Sequence, residues 1–213
     1  MDNKYIKIFI LFISLFVLSG CVNVKKDSIE SITQYITGNQ RKLYNNFNKG
    51  YKYYIPKGLS ASEIDDLNVK IKSQRYNYYL YVDLVSYYNK VKLTYNIDKS
   101  LYYSKHIGDG EGLINITKLA DNYLINIQYN YARIEVKVNE SDLKDALSNA
   151  LIIVNSIKYN DETIRAMLDE GLLSVNEKVV QVFDESKSQS DLLEITEEEY
   201  YEDDNNYDND YIN

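Results

Sequence analysis

The chain contains one histidine, His106, and one cysteine, Cys21, so few kinds of side-chain chemistry are open to it. A zinc site built from cysteine and histidine is excluded, because such a site takes three or four of these ligands. A site made only of aspartate and glutamate would favour calcium, magnesium or manganese. The sequence therefore predicts no bound metal and no cofactor.

His106 could act as a general base if Asp109 or Glu111, in the glycine-rich stretch that follows it, held the ring in place. The alternative is a histidine at the edge of a loop, with the glycines forming a hairpin turn. No nucleophile or oxyanion donor can be named beside it, and no Gly-Lys-Ser/Thr motif follows the glycines. We therefore favour the loop-edge histidine.

Asp65 and Asp66 form a pair of carboxylates of the kind that glycosidases use. Adjacent residues on one loop do not by themselves set the separation that glycoside hydrolysis requires. The sequence therefore predicts no catalytic residue.

The N-terminal segment carries a different chemistry. Two lysines, Lys4 and Lys7, precede an apolar run over residues 8–17, and the run ends in Leu18-Ser19-Gly20-Cys21. This arrangement resembles the signal peptide and lipobox of bacterial lipoproteins, in particular those of low-GC Gram-positive bacteria. The resemblance implies cleavage between Gly20 and Cys21, and lipid attached to Cys21.

Two alternatives to a lipoprotein signal are an uncleaved membrane anchor and an ordinary secretory signal. A membrane-spanning helix needs about 20 apolar residues, and this run is about half that length. An ordinary signal has no need of Cys21. A diacylglyceryl group on Cys21 would hold the mature chain stably at the extracytoplasmic face of the cell membrane, because two buried acyl chains suffice where one does not.

Charge divides the mature chain into two parts. Residues 184–213 carry twelve acidic residues and one lysine, a net of −11, whereas residues 21–183 carry 21 basic and 19 acidic residues, a net of +2. We therefore expect four segments: a signal peptide over residues 1–20, a lipid-anchored linker or N-terminal helix over 21–49, a folded domain over 50–183 and an acidic tail over 184–213.

The acidic tail has too little apolar surface to offset the entropy of ordering it, so we expect it to be disordered. It is either a solubilising tail or a weak site for cations or a basic partner. Asp204, Asp208 and Asp210 are spaced loosely like a calcium loop, but the turn glycine and the closing glutamate of that loop are missing. The negative charge also argues against binding nucleic acid or an anionic lipid surface.

The folded domain shows the alternation of apolar and polar residues that is typical of strands. The clearest strand covers residues 76–85, and its second face carries Tyr79 and Tyr81. The other predicted strands cover residues 51–55, 90–95, 101–106, 113–119, 123–129 and 132–138. In the last of these, Arg133, Glu135 and Lys137 should form a solvated face. The connections are short, so neighbouring strands should be antiparallel.

Helices flank these strands. Asp27 or Ser28 can cap a helix whose apolar stripe favours docking on the domain, and Gly38 can end it. The strongest helix pattern covers residues 139–157, followed by a shorter helix over 161–170 and a closing strand or extended segment over 175–183. We therefore predict an α+β fold with one twisted antiparallel sheet of about five to seven strands, and with the helix over residues 139–157 packed on one face.

Two stretches carry a second resemblance. Residues 50–59, Gly-Tyr-Lys-Tyr-Tyr-Ile-Pro-Lys-Gly-Leu, and residues 146–158, which end in Asn155-Ser156-Ile157-Lys158, resemble the opening and closing elements of the PsbP and Mog1-like fold. That fold serves non-enzymatic assembly and binding roles. No catalytic residue can be carried over from it.

The chain has 23 tyrosines and no tryptophan, and many of the tyrosines fall in the central strands. This is ordinary strand composition, because a tyrosine packs its ring and leaves its hydroxyl to water. On the wetter face, however, tyrosines also suit a protein or glycan surface, and Tyr79 and Tyr81 are the candidates there. We expect a membrane-anchored, non-enzymatic binding or assembly module with a partner protein in the cell envelope. The alternative is a small envelope hydrolase that uses carboxylates on a wall polymer.

Overall fold

The computed structural model describes residues 24–173, apart from residues 25, 40, 41, 64 and 66. The described helices are α1 (Ile29–Gly38), α2 (Leu84–Tyr88), α3 (Leu143–Asn155) and α4 (Asp161–Asp169). The described strands are β1 (Asn46–Asn48), β2 (Tyr51–Tyr53), β3 (Ser60–Glu63), β4 (Asn68–Lys72), β5 (Asn77–Val82), β6 (Tyr103–Ile107), β7 (Gly112–Lys118), β8 (Tyr123–Tyr129), β9 (Ala132–Val138) and β10 (Lys158–Tyr159). The predicted signal peptide, the extended segment over residues 175–183 and the acidic tail lie outside the described residues.

Seven strands form one antiparallel sheet in the order β3-β4-β5-β9-β8-β7-β6. The sheet is open, with β3 at one edge and β6 at the other. The predicted α+β class, the antiparallel pairing and the strand number are confirmed. Successive side chains of a strand point to opposite faces of the sheet, so every second residue of the central strands lies on the core face. These residues are apolar and buried, for example Tyr78, Leu80, Ile125, Ile134 and Val136.

Helix α3 covers this core face of the sheet, as predicted. Its stripe of buried residues includes Leu147, Ala150, Leu151 and Val154, and it packs against β8 and β9. A short 3₁₀ turn over Glu140–Asp142 precedes it, and the buried carboxylate of Asp142 forms an ion pair with the guanidinium of Arg75, with Oδ1 2.5 Å from an Arg75 nitrogen.

Helix α1 docks on the domain, as expected from its apolar stripe. Ser28 caps it, since the Ser28 hydroxyl accepts from the backbone N–H of Ser31 at 3.1 Å. Ile32 is fully buried, and the Asn155 side chain at the end of α3 donates to the Ile36 carbonyl at 2.8 Å. An ion pair between Lys105 and Glu30 joins α1 to the edge strand β6.

Residues 51–55 were predicted as a strand of the single sheet, but the structure places Tyr51–Tyr53 in a separate three-stranded sheet of order β1-β2-β10. Strand β10 follows α3 directly and pairs with β2. The chain thus returns from α3 into a second sheet before α4 begins at Asp161, where Asn160 caps it.

The strand predicted over residues 90–95 is wrong. The Asp83 carboxylate accepts from the backbone N–H of Ser86 at 2.8 Å, which caps α2 and turns the chain out of the sheet directly after β5. The chain then runs without regular structure from residue 91 to residue 98. Both sides of β5 are already paired, with β4 and with β9, so no place beside it remains for a following strand. Strand β4 was not predicted, although Val69 and Ile71 alternate with lysines.

None of the helices in the described residues is long and apolar enough to cross a membrane.

Candidate functional site

Tyr79 and Tyr81 lie on the face of the seven-stranded sheet opposite to α3. They alternate along β5 with Tyr78, Leu80 and Val82, which are buried on the core face. The side chains of Tyr79 and Tyr81 are half-buried. The sequence prediction of the wetter face is therefore confirmed. We call this surface the polar face.

Strand pairing aligns six side chains into one row across the polar face. The pairs are Lys70 with Tyr79, Tyr79 with Glu135, Glu135 with Asn126, Asn126 with Asn115, and Asn115 with Ser104. Side chains directly opposite one another in antiparallel strands have Cβ atoms about 4.5–5.5 Å apart, so each member of this polar row neighbours the next.

Tyr81 belongs to the row beside it. Tyr81 lies opposite Arg133, and Arg133 lies opposite Gln128. The two tyrosines of β5 therefore each face a charged residue of β9, Glu135 for Tyr79 and Arg133 for Tyr81. The centre of the polar face combines two aromatic rings with one carboxylate and one guanidinium.

The expectation that Glu135 lies on a simply solvated face is wrong, because the residue is only 8% exposed. Its Oε1 accepts from Asn126 Nδ2 at 2.6 Å and lies 3.6 Å from Arg133 Nε. These partners satisfy the carboxylate, which a buried charge requires. Arg133 is itself largely buried, while the third member of that predicted face, Lys137, is partly exposed.

Burial raises the pKa of the Glu135 carboxyl above its ordinary value, and the positive charge of Arg133 and the Asn126 hydrogen bond oppose that rise without cancelling it. Burial likewise raises the pKa of the Tyr79 phenol. Both shifts have the same cause, the removal of water from the centre of the polar face.

Cationic side chains surround this centre. Lys70 Nζ lies 5.7 Å from the centroid of the Tyr79 ring, within the range of a cation–π contact. Lys72 shares the face of Lys70 on β4, and Lys137 shares the face of Glu135 on β9. On the polar face, strands β4, β5 and β9 thus carry four cationic side chains and one buried carboxylate, that of Glu135. The cations are Lys70, Lys72, Arg133 and Lys137.

His106 lies elsewhere, near the end of the edge strand β6, and its side chain is exposed. It borders a groove of about 630 Å³ between α1 and the turn over Gly108–Gly110. No hydrogen bond or ion pair within residues 24–173, as far as the structure describes them, joins His106 to Asp109 or Glu111. The glycines form the hairpin turn between β6 and β7, with positive φ at Gly108 and Gly110, as the loop-edge interpretation predicted.

Asp65 has a structural role in the turn between β3 and β4. Its Oδ1 accepts from the backbone N–H groups of Leu67 at 2.8 Å and Asn68 at 2.6 Å. This arrangement is an Asx turn, in which the carboxylate replaces a backbone acceptor. Asp66, Gly20 and Cys21 lie outside the described residues.

Sequence reasoning missed Glu135, Arg133 and Asn126 as members of the site. Their alternation along β8 and β9 was readable, but their position beside Tyr79 and Tyr81 depends on the pairing of β5 with β9, which are separated by some 50 residues. No protein-family model matches the chain, and no curated protein sequence matches it.

Proposed function

We propose that this protein is a membrane-anchored, extracytoplasmic lipoprotein that acts as a non-enzymatic binding or assembly module of the cell envelope. Lipid on Cys21 tethers the domain to the membrane, and the polar face holds a partner protein. The anchoring half of the proposal is supported by the Leu18-Ser19-Gly20-Cys21 segment and the apolar run before it.

The binding half is supported above all by one observation: Tyr79 and Tyr81 project from a central strand on the sheet face opposite to the helix. Tyrosines on a rigid sheet are effective anchors, because a ring presents a large contact area and loses little conformational entropy on binding. Their position on a seven-stranded sheet fixes the spacing between the two rings.

The charge of the polar face points to the chemistry of the partner. Lys70, Lys72 and Lys137 lie around the tyrosines, and the one carboxylate of that region, Glu135, is buried. A partner surface with carboxylates would be attracted to this rim, which raises the rate of association more than the final affinity. The rate of complex formation should therefore fall as the salt concentration rises.

The double variant Tyr79→Ala/Tyr81→Ala tests this proposal. We expect it to reach the membrane normally and to lose capture of the partner in pull-downs from solubilised membranes by about tenfold or more, as the removal of two anchor residues does at other interfaces. The matched control is Tyr35→Ala/Tyr102→Ala, which removes two exposed tyrosines outside the polar face. Equal capture by the double variant and the control would contradict the proposal.

The alternative of an envelope hydrolase would require two carboxylates that converge on one cleft. Asp65, one of the two adjacent aspartates that suggested a hydrolase, accepts hydrogen bonds from the backbone of the turn between β3 and β4. Glu135 is held by Asn126 and Arg133 in the sheet. These roles give us reason to prefer the binding module.

A further inference from the structure

Residues 91–98, between α2 and β6, carry an unusual concentration of exposed apolar side chains. Val91 is 42% exposed, Leu93 40% and Ile97 48%. These residues alternate with Lys92, Thr94 and Asn96, and Tyr95 completes the apolar set. The sequence thus has the period of a half-buried strand, while the structure leaves it outside both sheets. We call these residues the crossover segment.

The backbone of the crossover segment is unpaired, and its apolar side chains are exposed apart from that of Tyr95, which is half-buried. Within the part of the chain that the structure describes, the N–H and C=O groups of residues 92–97 make no hydrogen bond. The flanks, in contrast, are held, because the Val91 N–H donates to the Ser86 carbonyl at 3.0 Å and the Asp98 N–H donates to Ser104 Oγ at 3.0 Å. A strand-like sequence with free backbone groups and exposed β-branched residues is a template for pairing with another chain.

We propose that the crossover segment pairs with the same segment of a second copy of this chain, as an antiparallel two-stranded ribbon whose two-fold axis passes beside Thr94. A closed contact of this kind uses one patch on both copies, so it gives a dimer and not an open filament. This surface does not include Tyr79 or Tyr81, the two residues proposed to anchor the partner, although the Asp98 N–H at its end donates to Ser104 Oγ of the polar row.

The register follows from side-chain complementarity. With Thr94 opposite Thr94, Val91 lies opposite Ile97, and Leu93 lies opposite Tyr95. All four apolar positions of each copy are then matched with apolar positions of the other, on one face of the ribbon. Such apolar and aromatic cross-strand pairs are the ones that stabilise antiparallel strands.

The charges fit the same register. Lys92 lies opposite Asn96, so the lysines of the two copies do not face each other, and Lys90, which lies in a turn with a φ of 53°, is outside the ribbon. Like charges directly opposite each other destabilise a strand pair, whereas opposite charges stabilise it. A second copy therefore fits this segment both in its apolar pattern and in its charges.

Cysteine crosslinking tests the register in the full chain, in the membranes of the producing cells. In the proposed dimer, the two copies of residue 94 are directly opposite, within the Cα separation that a disulfide allows, while the two copies of residue 92 are about 14 Å apart. Under mild oxidation, Thr94→Cys should therefore form a disulfide-linked dimer about tenfold faster than Lys92→Cys. The parent chain, whose one cysteine is Cys21, gives the background.

A second substitution separates specific pairing from random collision. Leu93→Lys in the Thr94→Cys chain should slow crosslinking by about tenfold, because it places a charge opposite Tyr95 in the ribbon. Leu172→Lys is the matched control, since Leu172 is 58% exposed and lies outside the segment. All of these positions are exposed, so the thermal midpoints of the variants should equal that of the parent, which checks that each chain is folded.

Two results would overturn the proposal. One is a Thr94→Cys chain that crosslinks no faster than Lys92→Cys, which would remove the proposed register. The other is a Leu93→Lys change that slows crosslinking no more than Leu172→Lys does, which would show that the disulfide arises from collision. Neither result bears on partner capture by Tyr79 and Tyr81, so the two proposals can fail separately.

Discussion

Tyr79 and Glu135 lie directly opposite each other on the neighbouring strands β5 and β9, so an aromatic ring and a buried carboxylate share the centre of the polar face. The carboxylate keeps its place because Asn126 donates to it and Arg133 lies 3.6 Å away. A charge in such surroundings is poorly solvated, and this makes the stability of the domain depend on pH.

The first prediction concerns that dependence. Burial raises the pKa of Glu135 above its ordinary value of 4.5, so the folded state holds the proton more tightly than the unfolded state. The protonated carboxyl of Glu135 therefore stabilises the folded state. This contribution is fully present below pH 4.5 and is lost as the pH rises through the folded-state pKa of Glu135. Glu135→Gln removes this titration. The free energy of unfolding of the variant, relative to the parent, should therefore increase as the pH rises from 4.5 towards neutrality.

Urea denaturation at a series of pH values measures this difference. Glu140→Gln is the matched control, because Glu140 is exposed and its substitution should give a difference that is nearly independent of pH. If Glu135→Gln behaved like Glu140→Gln, the carboxylate of Glu135 would not be buried in solution.

The second prediction separates the two faces of β5. Tyr78 is fully buried on the core face, whereas its neighbour Tyr79 is half-buried on the polar face. Tyr78→Ala should lower the free energy of unfolding by about 3–5 kcal/mol, as deletion of a buried aromatic ring does. Tyr79→Ala should lower it by about 1 kcal/mol. Equilibrium denaturation compares the two, and equal losses would mean that the Tyr79 ring belongs to the core.

The third prediction concerns anchoring. Cys21→Ala should abolish lipid attachment and leave the precursor uncut, because the acylated cysteine is the residue at which lipoprotein signals are processed. Labelling of cells with a radioactive fatty acid, followed by gel electrophoresis, measures both effects. Val22→Ala serves as the control and should keep the label. Label that persisted in the Cys21→Ala chain would contradict lipid attachment at Cys21 and the membrane location proposed from it.

Much of the fold could be predicted from the sequence, because alternation is a local signal. Residues 123–129 and 132–138 were predicted with the bounds that β8 and β9 have. The crossover segment shows the limit of that signal: its alternation is real, but α2 turns the chain away and β5 is already paired on both sides. Tertiary context thus overrides a strand-like pattern.

The candidate site could be predicted only in part, for a related reason. The face of Tyr79 and Tyr81 followed from their alternation with Tyr78 and Leu80. The burial of Glu135 did not follow from its own strand, where it alternates with apolar residues like any solvated glutamate. It depends on which strand lies beside β9 and in which register, and that information is distributed over the whole sheet.

The central claim is that the polar face holds a partner in the envelope, and site-specific photo-crosslinking tests it most directly. A photo-reactive amino acid replaces Lys70, which lies beside the Tyr79 ring, in the full chain within native membranes. We expect one discrete adduct, identified by mass spectrometry, that is lost when Tyr79→Ala and Tyr81→Ala are added and is absent when the probe replaces Lys57, an exposed lysine outside the seven-stranded sheet. No discrete adduct at position 70, or the same adduct at position 57, would contradict the account.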